Sequence, residues 1–198
     1  GNELLNIINQ DTCTYCNRNY TLQTVPNRSR AELDHWFSKE TFPLLALSFY
    51  NLIPSCHSCN HLKLNNVIDD TFAHPYTITE DNQNFKFSFN YINIDKKFDI
   101  KLMVEENSKM DNSLKDFKIK EIYNTHSEKE LKDLLDLRYK YSKNYLEILL
   151  NKTFSSLSMS KEEAYRMIFG IEIKEEDYHK RPLSKFKHDI IEELLKQS

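Results

Sequence analysis

The chain has 198 residues, of which 39% are hydrophobic and 29% are charged, and its formal net charge is −3. This composition is typical of one or two folded domains, and the slight negative charge excludes a protein that holds nucleic acid by positive charge alone. No apolar run is long enough to cross a membrane, and the polar residues Gly1 to Gln10 lack the apolar core of a secretion signal, so we expect a cytoplasmic protein.

The four cysteines form two Cys-x-x-Cys pairs, Cys13 with Cys16 and Cys56 with Cys59. Two such pairs supply the four thiolates that a tetrahedral zinc site needs. The alternatives are disulfides, a redox pair or unreactive buried thiols. Disulfides are not expected in a chain that is not secreted. A thioredoxin-like redox site needs only one Cys-x-x-Cys pair, beside a βαβ pattern that this sequence does not show. The spacing therefore predicts a structural zinc ion, with a long insertion between the two pairs.

The inserted residues predict the order strand, loop, strand, helix. A first short strand ends at the polar pair Asp34 and His35, and a second strand is predicted at residues 51–55. The second strand leads into a helix that carries Cys59, Asn60 and Lys63. Because neighbouring strand residues point to opposite faces, Asp34 and His35 need a bend in the chain to serve one site.

The segment LDHWFSKETFPLLALSFYNLIPSCHSCNHLK resembles the HNH endonuclease motif, the ββα-metal fold, in its zinc-stapled four-cysteine form. The resemblance covers residues 13–66 and includes the cysteines, the Asp-His pair, the Asn-Leu step and the Cys-Asn-x-x-Lys ending. One position departs from it, because Ser38 stands where relatives carry proline. The resemblance implies a divalent-metal-dependent endonuclease that hydrolyses phosphodiester bonds.

The residue types in this segment suit that chemistry. His35 is the predicted general base, since an imidazole takes a proton from water near neutral pH. Asp34 and Asn60 are the predicted ligands of a catalytic Mg²⁺ or Mn²⁺, because both offer hard oxygen atoms. Asn51 is predicted to hold the loop and to orient His35 by hydrogen bonding. The predicted catalytic residues are therefore His35, Asn51 and Asn60.

Two further histidines leave the third motif position open. His57 and His61 flank Asn60 on the same helix, and many relatives carry histidine at this position. Asn60 is favoured because it follows the second cysteine pair directly, nine residues after Asn51.

Residues 13–66 contain five basic and three acidic side chains, a local balance of +2. We expect phosphate contacts from the basic residues of this segment, and DNA is favoured over RNA as the substrate. The four predicted nucleic-acid contacts are Lys63, Arg28, Arg30 and Lys39. The small excess of positive charge predicts weak intrinsic affinity, so a partner protein or an oligomer of the chain is expected to bring the substrate.

Beyond residue 66 the sequence shows a different pattern of apolar and polar residues. Residues 85–91 alternate aromatic and polar side chains, and residues 98–104 do so less strictly, which predicts an antiparallel hairpin. The predicted fold class is α+β: a ββα-metal core with structural zinc, a small hairpin and a mainly helical C-terminal region. Residues 1–75 are expected to form the nuclease core, with residues 76–198 packed on it as one compact body.

Helix signals follow from residue 127 onward. Ser127 with Glu130, and Ser160 with Glu163, predict capping boxes at two helix starts. A long amphipathic helix is predicted from the leucines, tyrosines and isoleucine between residues 131 and 149, and Gly170 is expected to end the next helix. Ser184 is predicted to cap a last helix whose apolar face comprises Phe186, Ile190, Ile191, Leu194 and Leu195.

A zinc-stapled HNH core followed by a helical region resembles the small bacterial defence nucleases of the Septu and retron-associated type, called PtuB-like. This resemblance implies an antiviral role beside an ABC/SMC-like ATPase that controls cutting. The alternative is a zinc-stabilised module that binds nucleic acid or protein without cleaving anything. The Asp34-His35 pair favours the enzyme, because a binding module has no use for a carboxylate next to an imidazole.

Overall fold

The computed structural model describes residues 2–22, 32–63, 69–77, 85–92, 97–140, 148, 152 and 159–196. These residues form a mixed α+β structure with two separate two-stranded antiparallel sheets, as predicted for the fold class. The chain divides into two compact units: residues 1–85 with 104–119, and residues 86–103 with 120–198. The predicted division after residue 75 stays a prediction; these units differ from it by placing residues 76–85 and 104–119 in the first unit.

The first unit has two short strands followed by a helix. The strands run antiparallel with Glu32 opposite Ser55 and His35 opposite Leu52. A loop of residues 36–51, which contains two short 3₁₀ turns, joins them. The described elements of this unit are α1 (Asn2–Ile8), β1 (Glu32–His35), β2 (Leu52–Ser55), α2 (His57–Lys63) and α3 (Lys109–Asp116).

Residues 104–119 belong to the first unit because they complete its core. The rings of Phe117 and Tyr15 stack with their centroids 4.0 Å apart. The Ser113 hydroxyl accepts a hydrogen bond from the Ala73 amide at 3.0 Å. Ser108 caps the start of α3 by accepting from the Asp111 amide, which satisfies one of the unpaired amides of the first turn. The assignment of residues 104–119 to the first unit depends on these tertiary contacts, which the local sequence pattern does not predict.

The second unit contains the predicted hairpin and the C-terminal helices. Phe87 of the hairpin is buried against Tyr123 and Phe186, with ring centroids 4.4 Å and 5.3 Å from its own. The described elements are β3 (Lys86–Ile92), β4 (Lys97–Met103), most of α4 (Ile119–Asn124), α5 (Lys132–Lys140), α6 (Lys161–Phe169) and α7 (Ser184–Lys196).

Two of the predicted helix boundaries in this unit are confirmed. The Ser160 hydroxyl accepts from the Glu163 amide and the Glu163 carboxylate accepts from the Ser160 amide, which is a complete capping box. Gly170 ends α6 in the left-handed conformation, with φ at 69°, where a glycine has no side chain to clash.

Two other predicted caps are wrong. Ser127 lies within a π turn, and its hydroxyl donates to the Asn124 carbonyl instead of accepting from a helix amide. Ser184 is the first residue of α7, and its hydroxyl accepts from the Glu172 amide and donates to the Arg181 carbonyl. In both cases the hydroxyl bonds to a preceding segment of the chain and not to an amide of the helix start.

The predicted apolar stripes of the helices lie mostly in the core. Leu131, Leu134 and Leu135 are buried, whereas Ile148 is 47% exposed. The remaining predicted positions Tyr141, Tyr145 and Leu149 lie outside the described residues. Of the predicted apolar positions of α7, Phe186, Ile190, Ile191 and Leu194 are buried, and Leu195 is half-buried. Among the described residues, no helix combines the length and the apolar character that crossing a membrane requires.

Candidate metal centre and adjoining cleft

The four cysteines converge on one point. Their sulfur atoms all lie within 4.8 Å of one another, and the Sγ atoms of Cys16 and Cys56 are 3.9 Å apart. A disulfide requires about 2.05 Å between sulfurs, so this separation is not that of a disulfide. Four sulfurs bound to zinc at about 2.3 Å in a tetrahedron lie about 3.8 Å apart. The cluster is therefore placed to bind a metal ion and is compatible with structural zinc, as the spacing predicted.

The first cysteine pair sits in a tight turn. The Cys13 carbonyl accepts a hydrogen bond from the Asn17 amide at 2.8 Å, and Asn17 has a φ of 48°. This left-handed conformation is one that asparagine tolerates better than most residues. The Thr14 amide donates to the Pro54 carbonyl at 3.2 Å and so ties the turn to β2. Since Cys56 follows β2 directly, this bond also brings the two cysteine pairs together.

The second pair begins between β2 and α2. The pKa of Cys56 is held well below its usual range because the thiols of Cys13, Cys16 and Cys59 donate hydrogen bonds to its sulfur. The pKa of Cys59 is raised, because its own thiol donates to the other sulfurs. Four sulfurs this close cannot all be thiolates unless a cation balances their charge. The donor set therefore fits a thiophilic cation that replaces the protons.

Asp34 and Lys63 form a buried ion pair. Their side chains are 5% and 1% exposed, and the Lys63 ammonium lies 3.1 Å from one carboxylate oxygen and 3.3 Å from the other. The ammonium also donates to the His35 carbonyl at 2.5 Å. A lysine in this position faces the interior and does not meet a phosphate. The predicted phosphate contact of Lys63 is inconsistent with this placement, because Asp34 and the His35 carbonyl already engage its charge.

Tyr15 completes this buried network. Its hydroxyl donates to the Asp34 carboxylate at 2.5 Å, and burial, together with the negative charge of Asp34, raises the pKa of Tyr15 well above its usual value. Tyr15 therefore stays neutral and keeps its proton for the bond. Because it lies between the two cysteines of the first pair, the network joins the metal centre to the strand that ends at His35. The two oxygens of Asp34, predicted to bind Mg²⁺ or Mn²⁺, are thus both engaged by protein donors.

We expect Lys63→Met to lower the free energy of unfolding by about 3–5 kcal/mol, because it leaves the Asp34 charge buried without its partner. The matched control is Lys39→Met, which makes the same replacement at an exposed position and should change stability by no more than about 0.5 kcal/mol. Urea unfolding of the zinc-loaded chain measures both. Equal stabilities for the two variants would contradict a stabilising role for the pair.

His35 lines an open cleft of about 500 Å³ beside α2. Its Nε2 lies 3.1 Å from the Ala46 carbonyl oxygen. A carbonyl only accepts hydrogen bonds, so Nε2 carries the proton and Nδ1 is the basic nitrogen of the neutral ring. The sequence predicted that Asn51 orients this imidazole. The contact that does so comes instead from the Ala46 main chain.

Asn51 holds the loop between the strands, as predicted. Its side-chain oxygen accepts from the Phe37 amide at 2.6 Å, and its amide donates to the carbonyls of Phe37 and Leu45 at 3.1 Å and 3.0 Å. The side chain is buried, so each bond replaces one that water would otherwise make. Because Leu45 precedes Ala46, Asn51 also fixes the segment whose carbonyl contacts His35. Asn51 therefore affects the position of His35 only through the loop.

Glu32 is a residue of the cleft that the sequence reasoning missed. One carboxylate oxygen lies 2.8 Å from His57 Nδ1, and the other accepts from the Asn60 amide at 2.6 Å. The bond from Asn60 is the main reason that the pKa of Glu32 lies below its usual value. The alternation of side chains along a strand could have pointed to Glu32, because Glu32 and Asp34 are two residues apart and so share one face of β1. The three residues of α2 that meet this face recur every third position: His57, Asn60 and Lys63.

The other predicted site residues have varied placements. Lys39 is exposed and lines the cleft, whereas Arg28 and Arg30 lie outside the described residues. His61 also lines the cleft, with its ring centroid 6.0 Å from that of His57. The structure therefore brings His35, Asn60 and both helix histidines to one opening.

No protein-family model matches this chain. Searches of curated proteins and of solved structures found no match either.

Proposed function

We propose that this chain is a metal-dependent endonuclease of the HNH type that hydrolyses phosphodiester bonds, with DNA favoured over RNA. The observation that carries the proposal is the position of His35. Its imidazole faces the same open cleft as Asn60, at the end of a strand that the Tyr15–Asp34 hydrogen bond ties to the turn of the first cysteine pair. A basic nitrogen beside side-chain oxygen and nitrogen atoms that can bind a metal, in an open cleft, suits the hydrolysis of an anionic ester.

In the proposed reaction, His35 Nδ1 removes a proton from a water molecule as the water oxygen bonds to phosphorus. The ester P–O bond breaks, and the leaving oxygen takes a proton from solvent. The Ala46 carbonyl fixes the tautomer that this step requires, because it holds the proton on Nε2. When bound, Mg²⁺ or Mn²⁺ would stabilise the negative charge on the phosphate and the leaving oxygen. Asn60 and a carboxylate of the cleft would hold it.

Asp34 has a different part in this proposal from the one predicted. Lys63 neutralises it, and a cation would have to share the carboxylate with a buried ammonium that lies 3.1 Å from one of its oxygens. Two positive charges on one carboxylate repel each other, which makes Asp34 a poor metal ligand. Asp34 instead holds Lys63, whose ammonium fixes the His35 main chain. Its proposed contribution is to position the general base.

The proposal includes a partner. Of the predicted phosphate contacts that are described, Lys39 alone is exposed, and Glu40 lies beside it on the cleft. One lysine next to one glutamate gives little electrostatic affinity for nucleic acid. The PtuB-like resemblance supplies the candidate, an ABC/SMC-like ATPase acting in antiviral defence. A tagged chain recovered from its native cells should carry such an ATPase. Recovery of the chain alone would remove this part of the proposal.

Cleavage assays test the enzymatic proposal directly. The zinc-loaded chain is incubated with supercoiled plasmid, single-stranded DNA and RNA, each with Mg²⁺, with Mn²⁺ or with no added divalent ion. We expect nicked plasmid only when a divalent ion is added, because the phosphate charge then has a counter-charge at the site. Absence of product from all three substrates with either ion would contradict the proposal.

A second candidate function is binding without cleavage. It is favoured by the exposed apolar side chains on the loop of residues 36–51, among them Leu44 and Leu47, which are 98% and 92% exposed. Clustered exposed apolar side chains are typical of surfaces that contact another protein. A binding module would hold nucleic acid or a partner but produce no nicks under any of the three ionic conditions.

A further inference from the structure

Three carboxylates line the cleft among the described residues, and their surroundings differ. Asp34 is buried and paired with Lys63. Glu40 is exposed on the loop. Glu32 has a side chain 39% exposed and contacts both His57 and Asn60. Glu32 is therefore the carboxylate of the cleft that is open to solvent and surrounded by other potential metal ligands.

The hydrogen bonds around Glu32 bring three potential ligands close enough to one another to bind one small cation together. Octahedral Mg²⁺ or Mn²⁺ with bonds of about 2.1 Å has adjacent ligand atoms about 3 Å apart. In the structure, His57 Nδ1 and the Asn60 amide lie 2.8 Å and 2.6 Å from the two oxygens of Glu32. Rotation of the Asn60 amide by 180° exchanges its nitrogen for its oxygen in the same place, so Asn60 can offer a ligand there.

The charges around the cleft also favour Glu32 as the carboxylate that binds the cation. The side chain of His57 is 81% exposed, so a cation bound there stays in contact with solvent. No described ammonium or guanidinium group is paired with Glu32, in contrast to the Lys63 ammonium beside Asp34. Carboxylate, imidazole and carboxamide together are a donor set that Mn²⁺ accepts readily.

We infer that Glu32, together with His57 and Asn60, forms the divalent-cation site of the cleft, in the place that the sequence assigned to Asp34. This inference rests on the proposed function only for the use of the cation. The site itself binds Mg²⁺ or Mn²⁺ whether or not cleavage follows. Asp34 and Glu32 thereby have separate tasks on one face of β1: Asp34 fixes the main chain and Glu32 holds the cation.

Direct binding of Mn²⁺ tests the inference. The zinc-loaded full chain is titrated with Mn²⁺ alone, and the unbound ion is measured by its electron paramagnetic resonance signal. We expect wild type to bind Mn²⁺ and Glu32→Gln to weaken that binding by at least about 10–100-fold, the loss seen when supporting groups of metal sites are removed. The matched control is Glu40→Gln, which removes the same charge from the same cleft and should bind Mn²⁺ nearly as wild type does.

Zinc content and melting temperature are measured for every variant. The Glu32→Gln side chain keeps an oxygen that accepts the bond from Asn60, so we expect an intact fold; if this variant fails to fold, Glu32→Asp replaces it and should also weaken Mn²⁺ binding. Wild-type affinity in the folded Glu32 variant would overturn the inference, as would equal weakening by Glu40→Gln. Nicking by a Glu32→Gln protein with unchanged Mn²⁺ affinity would remove this inference and leave the proposed function. Glu32-dependent Mn²⁺ binding without cleavage of any substrate would support this inference and contradict the proposed function.

Discussion

His35→Ala should reduce plasmid nicking by about 10²–10⁴-fold, the usual loss when a general base is removed. The substitution deletes Nδ1, the nitrogen that the Ala46 carbonyl leaves unprotonated. It should leave the fold intact, because it removes one hydrogen bond worth about 1 kcal/mol from a half-buried side chain. Nicking rates with Mg²⁺ and with Mn²⁺, together with the melting temperature and zinc content, measure both effects.

The control for this variant is His179→Ala, which removes an imidazole from the other compact unit and should nick as wild type does. Equal nicking by the His35→Ala and wild-type proteins would refute the assignment of the base. Loss of nicking accompanied by loss of zinc or of the melting transition would mean that His35 supports the fold and not the reaction. Nicking lost with folding retained is the result that the catalytic role predicts.

Cys56→Ser should remove the metal and unfold the first unit. Zinc binding contributes roughly 10 kcal/mol or more to the folding of small zinc domains, which exceeds what a core of this size supplies alone. Hydroxyl oxygen is a poor replacement for thiolate in a set of four sulfurs. The measurements are zinc content after gel filtration and proteolytic sensitivity of residues 2–63, which carry all four cysteines.

Ser58→Ala is the matched control for the cysteine variant. Ser58 is exposed and lies between the two cysteines of the second pair, so its replacement tests whether any change in this turn is harmful. We expect it to retain zinc and the wild-type melting curve. A soluble Cys56→Ser protein that lacks zinc and melts as wild type does would show that the cluster has no structural role.

The two variants separate the two parts of the site. His35→Ala should keep the metal centre and lose the chemistry, whereas Cys56→Ser should lose both. The reason is the path of contacts from Tyr15, between the first two cysteines, through Asp34 and Lys63 to the His35 main chain. Loss of the metal is therefore expected to displace the imidazole as well as to unfold the turn.

Features that depend on neighbours in the chain were predictable from the residues alone. The Cys-x-x-Cys spacing predicted a cluster of four sulfurs, because a short turn confines each pair to one point. The alternation in residues 85–91 and 98–104 predicted the hairpin, and the Ser160 and Glu163 pair predicted a capping box that forms as expected. Loop fixation by Asn51 was predicted from the HNH resemblance and is seen in its three hydrogen bonds.

Only the tertiary structure decided which charged groups meet. Lys63 and Asn60 lie on one helix and Asp34 and Glu32 on one strand, and either carboxylate was a possible partner for either residue. Packing of α2 across β1 pairs Lys63 with Asp34 in the interior and leaves Glu32 with Asn60 and His57 at the opening. The sequence by itself therefore determined the four-cysteine cluster and the local turns. Their pairing followed from packing, because burial makes an unpaired charge costly and so selects one partner among several.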